Sequence, residues 1–166
     1  ENGIKSWTKS VSQKAVMANR NALTNAAKKD IMYTSKKIEV ADVRYIGKID
    51  RKILNSEFGN LKTDEVVLTD ERKLHIQERH PNDFALFDKN CRSILTSPDL
   101  VLKDVKHENT AFIIKHVEQT NINVILKLSV LDDKKHPKNS IMSAYRIRDK
   151  NVKKLEKTHK TLYKKE

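Results

Sequence analysis

The hydrophobic periodicity of the chain changes after Ser97-Pro98, and this change constrains the fold more than any other feature. Before that point apolar residues recur at helical spacing, as in the stripe from Phe84 to Leu95. After it the spacing becomes two, which predicts four successive strands over residues 100–105, 110–117, 122–131 and 140–148. Because the connections between these segments are short, we expect an antiparallel meander.

The predicted architecture is α+β, with helices packed on a roughly four-stranded antiparallel sheet and a C-terminal helix from Asp149 to Tyr163. In the third predicted strand, Ile122 and Val124 lie on one face, whereas Asn123 and Lys127 lie on the other. One face of the sheet is therefore expected to pack on helices. The opposite, half-polar face remains available for a ligand.

Ahead of the meander the sequence predicts a strand over residues 40–49, a helix over 50–58 that ends at Gly59, and a strand over 64–68. Residues 1–37 carry a thin stripe of small apolar residues at helical spacing, which is typical of a helical linker or appendage. We therefore expect a helical segment over residues 1–37 and a globular domain over residues 38–166.

The chain has 166 residues, with 34 lysines and arginines against 22 acidic residues, giving a net charge of +12. Such an excess indicates a polyanionic partner: nucleic acid first, with an acidic protein or an anionic membrane surface as alternatives. A single cysteine, Cys91, excludes an intrachain disulfide and a zinc knuckle. No apolar run approaches the length of a membrane span. Contacts with nucleic acid are predicted for a basic loop and the end of the last strand, at Lys134, Lys135, Lys138, Arg146 and Arg148.

The segment from Thr69 to Pro81 concentrates groups suited to acid–base chemistry. Thr69 or Asp70 can cap a helix, in which His75 and Arg79 are four residues apart and share a face. His80 precedes Pro81, and the residue before proline is disfavoured in the helical region. We therefore expect His80 at the helix end, with its ring free to turn toward the face that His75 occupies. The alternative interpretation is a solvated amphipathic helix without a site.

No zinc-protease motif, glycine-rich phosphate loop or serine-nucleophile elbow occurs in the sequence. What remains is acid–base chemistry with cationic support and no cofactor. RNA suits such a site, because its 2′-hydroxyl is the nucleophile and histidine can transfer both protons. The candidates from the helix and the strands are His75, Arg79, His80, Lys115, Lys127, Ser143 and Tyr145. The remaining histidines receive no role.

Several motifs together resemble a known family. They include the segments Tyr45–Asp50, Thr63–Thr69, His75–Pro81, Asn123–Leu128 and Asn139–Ile147. In this order they are similar to the phage-associated nuclease domains of the barnase/EndoU/colicin/RelE-like superfamily. Such domains form the C-terminal part of phage head-morphogenesis-type proteins and the toxin tips of polymorphic toxin systems. The resemblance extends over roughly residues 40 to 166.

The resemblance implies a ribonuclease-like α+β fold with its site on the exposed sheet face. It also implies metal-independent cleavage of RNA, often tRNA, leaving a 2′,3′-cyclic phosphate. The family motif maps onto His75, Arg79 and His80, and its late hydroxyl position onto Ser143.

The implied partners are RNA, an acidic immunity protein and a phage structural protein. The implied site of action is the bacterial cytoplasm, reached by secretion or from a phage particle. The rival hypothesis is a non-catalytic basic module that binds nucleic acid or a virion protein.

Overall fold

One mixed sheet organises the part of the chain that the computed structural model describes, namely residues 42–132, 134 and 137–166. The chain divides into two units, Glu1–Val40 and Ala41–Glu166. The helix predicted over residues 1–37 lies outside the described residues, and the predicted domain boundary stays a prediction.

In chain order the strands are β1 (Val43–Lys48), β2 (Glu65–Thr69), β3 (Leu100–Lys103), β4 (Thr110–Val117), β5 (Thr120–Lys127), β6 (Asn139–Ile147) and β7 (Lys160–Lys164). The helices are α1 (Arg51–Phe58), α2 (Asp70–Arg79), α3 (Pro81–Thr96) and α4 (Asp149–Thr158). Among the described residues, no helix has both the length and the apolar character needed to cross a membrane.

The α+β class is confirmed, but the predicted four-stranded antiparallel sheet is corrected. The described residues form a seven-stranded sheet in the order β1-β2-β6-β5-β4-β3-β7. The meander β3-β4-β5-β6 is antiparallel as expected, whereas β2 pairs with β6 in parallel. Pairing of β2 with a strand some seventy positions later joins the antiparallel pair β1-β2 to the meander. A local hydrophobic pattern does not predict pairing between strands that are far apart in the sequence.

The predicted C-terminal helix is also corrected, because α4 ends at Thr158 and β7 follows it. The Cα of Tyr163 lies opposite that of Val101, so β7 extends the sheet beyond β3. Leu162 and Tyr163 pack against the hydrophobic core from this strand. A helix continued to Tyr163 would not make this pairing.

Helices α1, α2 and α3 contribute buried side chains to one core on one face of the sheet. The largest of these helical side chains are Leu54, Ile76, Phe87 and Ile94. Ile122 and Val124 of β5 meet them from the sheet, as the alternation predicted. On the opposite face, Val152 and Leu155 of α4 cover a smaller cluster that includes Phe112 of β4. Helix α4 therefore covers the β3–β4 side of this face, and side chains of β5 and β6 remain partly exposed.

The pairing of β2 with β6 is short and spans only the Cα pairs Val66–Asn139 and Val67–Ser140. The buried side chain of Asn139 fixes this junction, because its Nδ2 donates to the carbonyl oxygens of Thr63 and Glu65, at 2.9 Å each. Beyond the junction, α2 leaves the end of β2 and lies against β6. The later residues of β6 are thereby placed beside the connection between α2 and α3.

Candidate active site on the open face of the sheet

Tyr145 of β6 is the centre of the candidate site. It lies opposite Asn123 of β5, whose Nδ2 donates to the Tyr145 hydroxyl oxygen at 3.0 Å. Asn123 is fully buried, and its Oδ1 has no hydrogen-bond partner among the described residues. Because the Tyr145 oxygen accepts from Asn123, its own proton remains free to be donated to a ligand.

The position of His80 follows from the helix ends on either side of it. Thr69 caps α2, since its Oγ1 accepts from the Arg72 amide at 3.3 Å. His80 is the last residue associated with α2, and its amide donates to the Ile76 carbonyl at 2.8 Å. Pro81 then begins α3. The predicted start and end of the Thr69–Pro81 helix are therefore confirmed, with His80 held in the bend between two helices.

The His80 ring stacks on the ring of Tyr145, with centroids 5.1 Å apart and planes inclined by 31°. An ionic clamp holds this arrangement, because the Asp83 carboxylate accepts from the Arg146 amide at 3.0 Å and lies 3.3 Å from Arg146 Nε. Arg146 Nη2 also donates to the Asn82 carbonyl at 3.1 Å. The first turn of α3 is thus fastened to the residue next to Tyr145, which keeps His80 beside it.

A hollow of about 500 Å³ is lined in part by Tyr145, and we call it the Tyr145 cleft. Its polar lining comprises Asp104, His107, Thr110, Lys127 and Tyr145. A second hollow of about 530 Å³ shares Tyr145 and runs along α4, and we call it the α4 groove. Its cationic lining comprises Lys106, Arg146 and Lys154.

The two predicted lysines lie on opposite faces of the sheet. Lys127 lines the Tyr145 cleft, and its Nζ donates to the carbonyl oxygen of Glu108 at 2.7 Å. Lys115 lies opposite Ile122 on the helix-covered side and donates to the carbonyl of Ser97. Lys127 forms no ion pair among the described residues, so its charge remains available to an anion in the cleft.

Ser143 lies two residues before Tyr145 on the same strand, opposite Ile125, so it shares the face of the cleft. His75 and Arg79 both lie on α2, with His75 half-buried and Arg79 exposed. In the described part of the chain their side chains form no hydrogen bond, ion pair or ring contact. The structure therefore places His80 against Tyr145, Lys127 with Tyr145 in the lining of the cleft, and Ser143 on the same face of β6. The roles of His75 and Arg79 stay predictions.

The residues predicted to contact nucleic acid have different surroundings. Lys138 pairs with Glu65 at 2.8 Å, and Arg146 is engaged by Asp83. Lys134 and Arg148 are exposed. Lys135 lies outside the described residues. Arg146 nevertheless lines the α4 groove, so it combines a structural contact with a place on the candidate surface.

Two residues of the cleft, Asp104 and His107, and the adjacent His159 of the α4 groove were not predicted as site residues. Asp104 has a side chain only 4 % exposed, and its Oδ2 lies 2.6 Å from His107 Nδ1. Its Oδ1 accepts from the Lys106 amide at 2.8 Å and lies 3.6 Å from His159 Nε2. The available signal was an aspartate three residues before a histidine in a turn, where the aspartate side chain hydrogen-bonds to the backbone. The approach of His159, from the α4–β7 junction, has no counterpart in the local sequence.

Burial by itself raises the pKa of Asp104, but three other contacts outweigh it. The Lys106 amide, the hydrogen bond from His107 and the nearby His159 lower the pKa of Asp104 below its ordinary value. Asp104 is therefore ionised at neutral pH and can only accept hydrogen bonds.

Other candidate positions offer fewer groups suited to catalysis. A hollow of about 230 Å³ beneath α1 and the end of α3 is lined mainly by apolar side chains such as Leu54 and Leu95. Cys91 is buried, and this burial raises the pKa of its thiol, which disfavours the nucleophilic thiolate. Within the described ranges, no three His, Cys, Asp or Glu side chains are grouped as metal ligands.

Comparison of the chain with protein-family models, curated proteins and solved structures yields no match. The likeness to phage-associated nucleases therefore rests on the sequence motifs alone.

Proposed function

We propose that this protein is a metal-independent endoribonuclease of the toxin type, with tRNA as its substrate class. One observation carries the proposal: the His80 imidazole packs on the ring of Tyr145, and Tyr145 lines the same cleft as Lys127. These are a proton-transfer group, a neutral hydrogen-bond donor and a free cation. Cleavage of RNA next to its own 2′-hydroxyl requires such groups and no further nucleophile.

In the proposed reaction, a base removes the proton of the 2′-hydroxyl and the resulting oxygen attacks the adjacent phosphorus. The bond from phosphorus to the 5′-oxygen breaks, and that oxygen takes a proton from an acid. The products are a 2′,3′-cyclic phosphate and a 5′-hydroxyl. Lys127 and the hydroxyls of Tyr145 and Ser143 bind the phosphate oxygens as charge develops on them.

His80 is the best-supported proton-transfer residue because two helix ends and the Asp83–Arg146 clamp fix its position. A side chain held in this way keeps its reacting atom in place before the substrate arrives, which lowers the entropy cost of reaction. His75 and Arg79 belong to the proposal through the motif alone, with Arg79 as a phosphate ligand.

The α4 groove supplies a path for the rest of the substrate. Lys106 and Lys154 line it and form no ion pair among the described residues, so both can contact phosphates. Each such contact releases counterions, and binding weakens as salt rises. An acidic immunity protein would fit the same basic surface, and we extend the proposal to such a partner.

The test is incubation of the purified protein with total tRNA in EDTA. We expect cleavage by the wild type and a rate about 10²- to 10⁴-fold lower for His80→Ala, the range typical of a lost acid or base. His116→Ala is the matched control, because His116 is an exposed histidine whose ring bonds to Asn121.

Two results would refute the proposal: intact tRNA with the wild type, or equal rates for His80→Ala and His116→Ala. Salt-dependent binding of tRNA without turnover would instead support the rival hypothesis of a non-catalytic module. Growth arrest on expression in bacteria, relieved by His80→Ala, is the expected cellular result.

A further inference from the structure

A second histidine at the Tyr145 cleft is held by a buried carboxylate. His107 is exposed, with 73 % of its side chain accessible, whereas the side chain of Asp104 is 4 % accessible. The short contact of 2.6 Å joins His107 Nδ1 to Asp104 Oδ2. One nitrogen of an otherwise solvent-accessible imidazole is thus anchored to a fixed acceptor.

The anchor determines which nitrogen of His107 carries the proton. Ionised Asp104 only accepts hydrogen bonds, so Nδ1 of His107 must be the donor. In the neutral ring Nε2 is then left with its lone pair, as in other aspartate–histidine pairs of hydrolytic sites. A free imidazole side chain has no such constraint.

Asp104 is itself rigidly held. Its Oδ1 accepts from the Lys106 amide at 2.8 Å, and His159 approaches the same oxygen from the α4–β7 junction at 3.6 Å. The His159 ring also packs edge-on against Phe112, with centroids 5.1 Å apart. The carboxylate therefore contacts groups from two parts of the fold, its own turn and the α4–β7 junction, which is more than capping one turn requires.

The surroundings of His107 are those of a substrate-binding position. Its ring lines the Tyr145 cleft together with Lys127 and Thr110. Lys127 Nζ bonds to the carbonyl of Glu108, the residue after His107, so the cation and the imidazole are fixed by the same turn. The His80 ring packs against the Tyr145 ring, and His107 and Tyr145 both line the cleft.

We infer that His107 is a catalytic base of the cleft, that Asp104 is the residue that positions it, and that His80 is the complementary acid. This inference rests on the proposed ribonuclease function and names the pair of proton-transfer residues. The 2′-hydroxyl proton passes to Nε2 of His107 as the 2′-oxygen bonds to phosphorus. The bond to the 5′-oxygen breaks, and that oxygen takes its proton from His80. The His107 cation formed in this step lies against the Asp104 carboxylate.

The first experiment measures cleavage of tRNA in EDTA by the wild type, His107→Ala and the control His116→Ala. His107→Ala is expected to fold normally, because the ring is exposed. We expect kcat to fall by about 10²- to 10⁴-fold with little change in KM, and free imidazole to restore part of the rate. His116→Ala should behave like the wild type. Cleavage by His107→Ala at the control rate overturns this inference alone, whereas no cleavage by the wild type overturns the proposed function and this inference together.

The second experiment tests the positioning role without requiring activity. Nitrogen-15 NMR of the histidine rings above pH 8 reports which nitrogen of neutral His107 carries hydrogen. We expect hydrogen on Nδ1 in the wild type and a loss of this preference in Asp104→Leu, with His116 unchanged. If the variant does not fold, the wild-type spectrum still decides, because hydrogen on Nε2 in the wild type contradicts the proposed pairing.

Discussion

The hydrogen bond between Asn123 and Tyr145 allows the structural and catalytic roles of the Tyr145 hydroxyl to be separated. Asn123 is fully buried, its Oδ1 has no partner among the described residues, and its Nδ2 donates to the Tyr145 hydroxyl at 3.0 Å. Tyr145→Phe removes the acceptor and leaves a buried amide donor unpaired. Such a loss costs about 1–3 kcal/mol of folding free energy.

The assay is urea unfolding followed by circular dichroism. With a slope of about 2 kcal/mol per molar urea, in the middle of the range for small proteins, the expected loss lowers the midpoint by roughly 0.5–1.5 M. Asn123→Leu replaces the other partner with an apolar side chain of similar volume. In the double variant no donor is left unpaired, so we expect a coupling free energy of about 1 kcal/mol or more between the two substitutions.

Activity should not follow the same pattern. The double variant recovers part of the stability, but it still lacks the hydroxyl that would donate to the phosphate. We expect its cleavage rate to stay about 10²- to 10³-fold below that of the wild type, the range for losing one preorganised donor. An unchanged urea midpoint in Tyr145→Phe, or additive stability changes in the double variant, would refute the structural reasoning. Recovery of the rate in the double variant would refute the catalytic reasoning.

Two further predictions concern the cation and the buried carboxylate of the cleft. Lys127→Ala should lower both the rate of tRNA cleavage and the salt dependence of tRNA binding far more than Lys115→Ala does. The two lysines are matched because both bond to a backbone carbonyl, but they lie on opposite faces of the sheet. Equal effects of the two substitutions would contradict this prediction. The pKa of Asp104 is lower in the folded protein than in the unfolded chain, so ionised Asp104 stabilises the fold above about pH 4. This stabilisation is lost as the pH falls through the pKa that Asp104 has in the folded protein. Urea unfolding from pH 6 to pH 3 should therefore show a shallower loss of stability in Asp104→Asn than in the wild type, and identical pH profiles would contradict the direction of this shift.

The sequence predicted the features that local chemistry determines. The Thr69 cap and the Pro81 start place His80 in the bend between α2 and α3, because capping and the pre-proline restriction act over a few residues. The alternation of β5 correctly placed Asn123 and Lys127 on the face opposite the helices. The prediction of an open, half-polar sheet face followed from that alternation.

Features that depend on distant pairing were not predictable from local patterns. The segment Lys160–Lys164 is polar and lysine-rich, and it forms a strand because β3 offers it an edge to pair with. The parallel pairing of β2 with β6 likewise depends on Asn139, which is far from β2 in sequence. The environment of His107 likewise includes the buried carboxylate of Asp104, which His159 approaches from a distant part of the sequence.

The measurement that tests the ribonuclease claim most directly is chemical analysis of the RNA ends produced by the protein in EDTA. Transfer of the phosphate to the 2′-oxygen predicts a 2′,3′-cyclic phosphate on one fragment and a 5′-hydroxyl on the other, with both ends formed about 10²- to 10⁴-fold more slowly by His80→Ala. Fragments with a 3′-hydroxyl and a 5′-phosphate would contradict the account, because they require a water nucleophile that the proposed arrangement of His80, Tyr145 and Lys127 does not use.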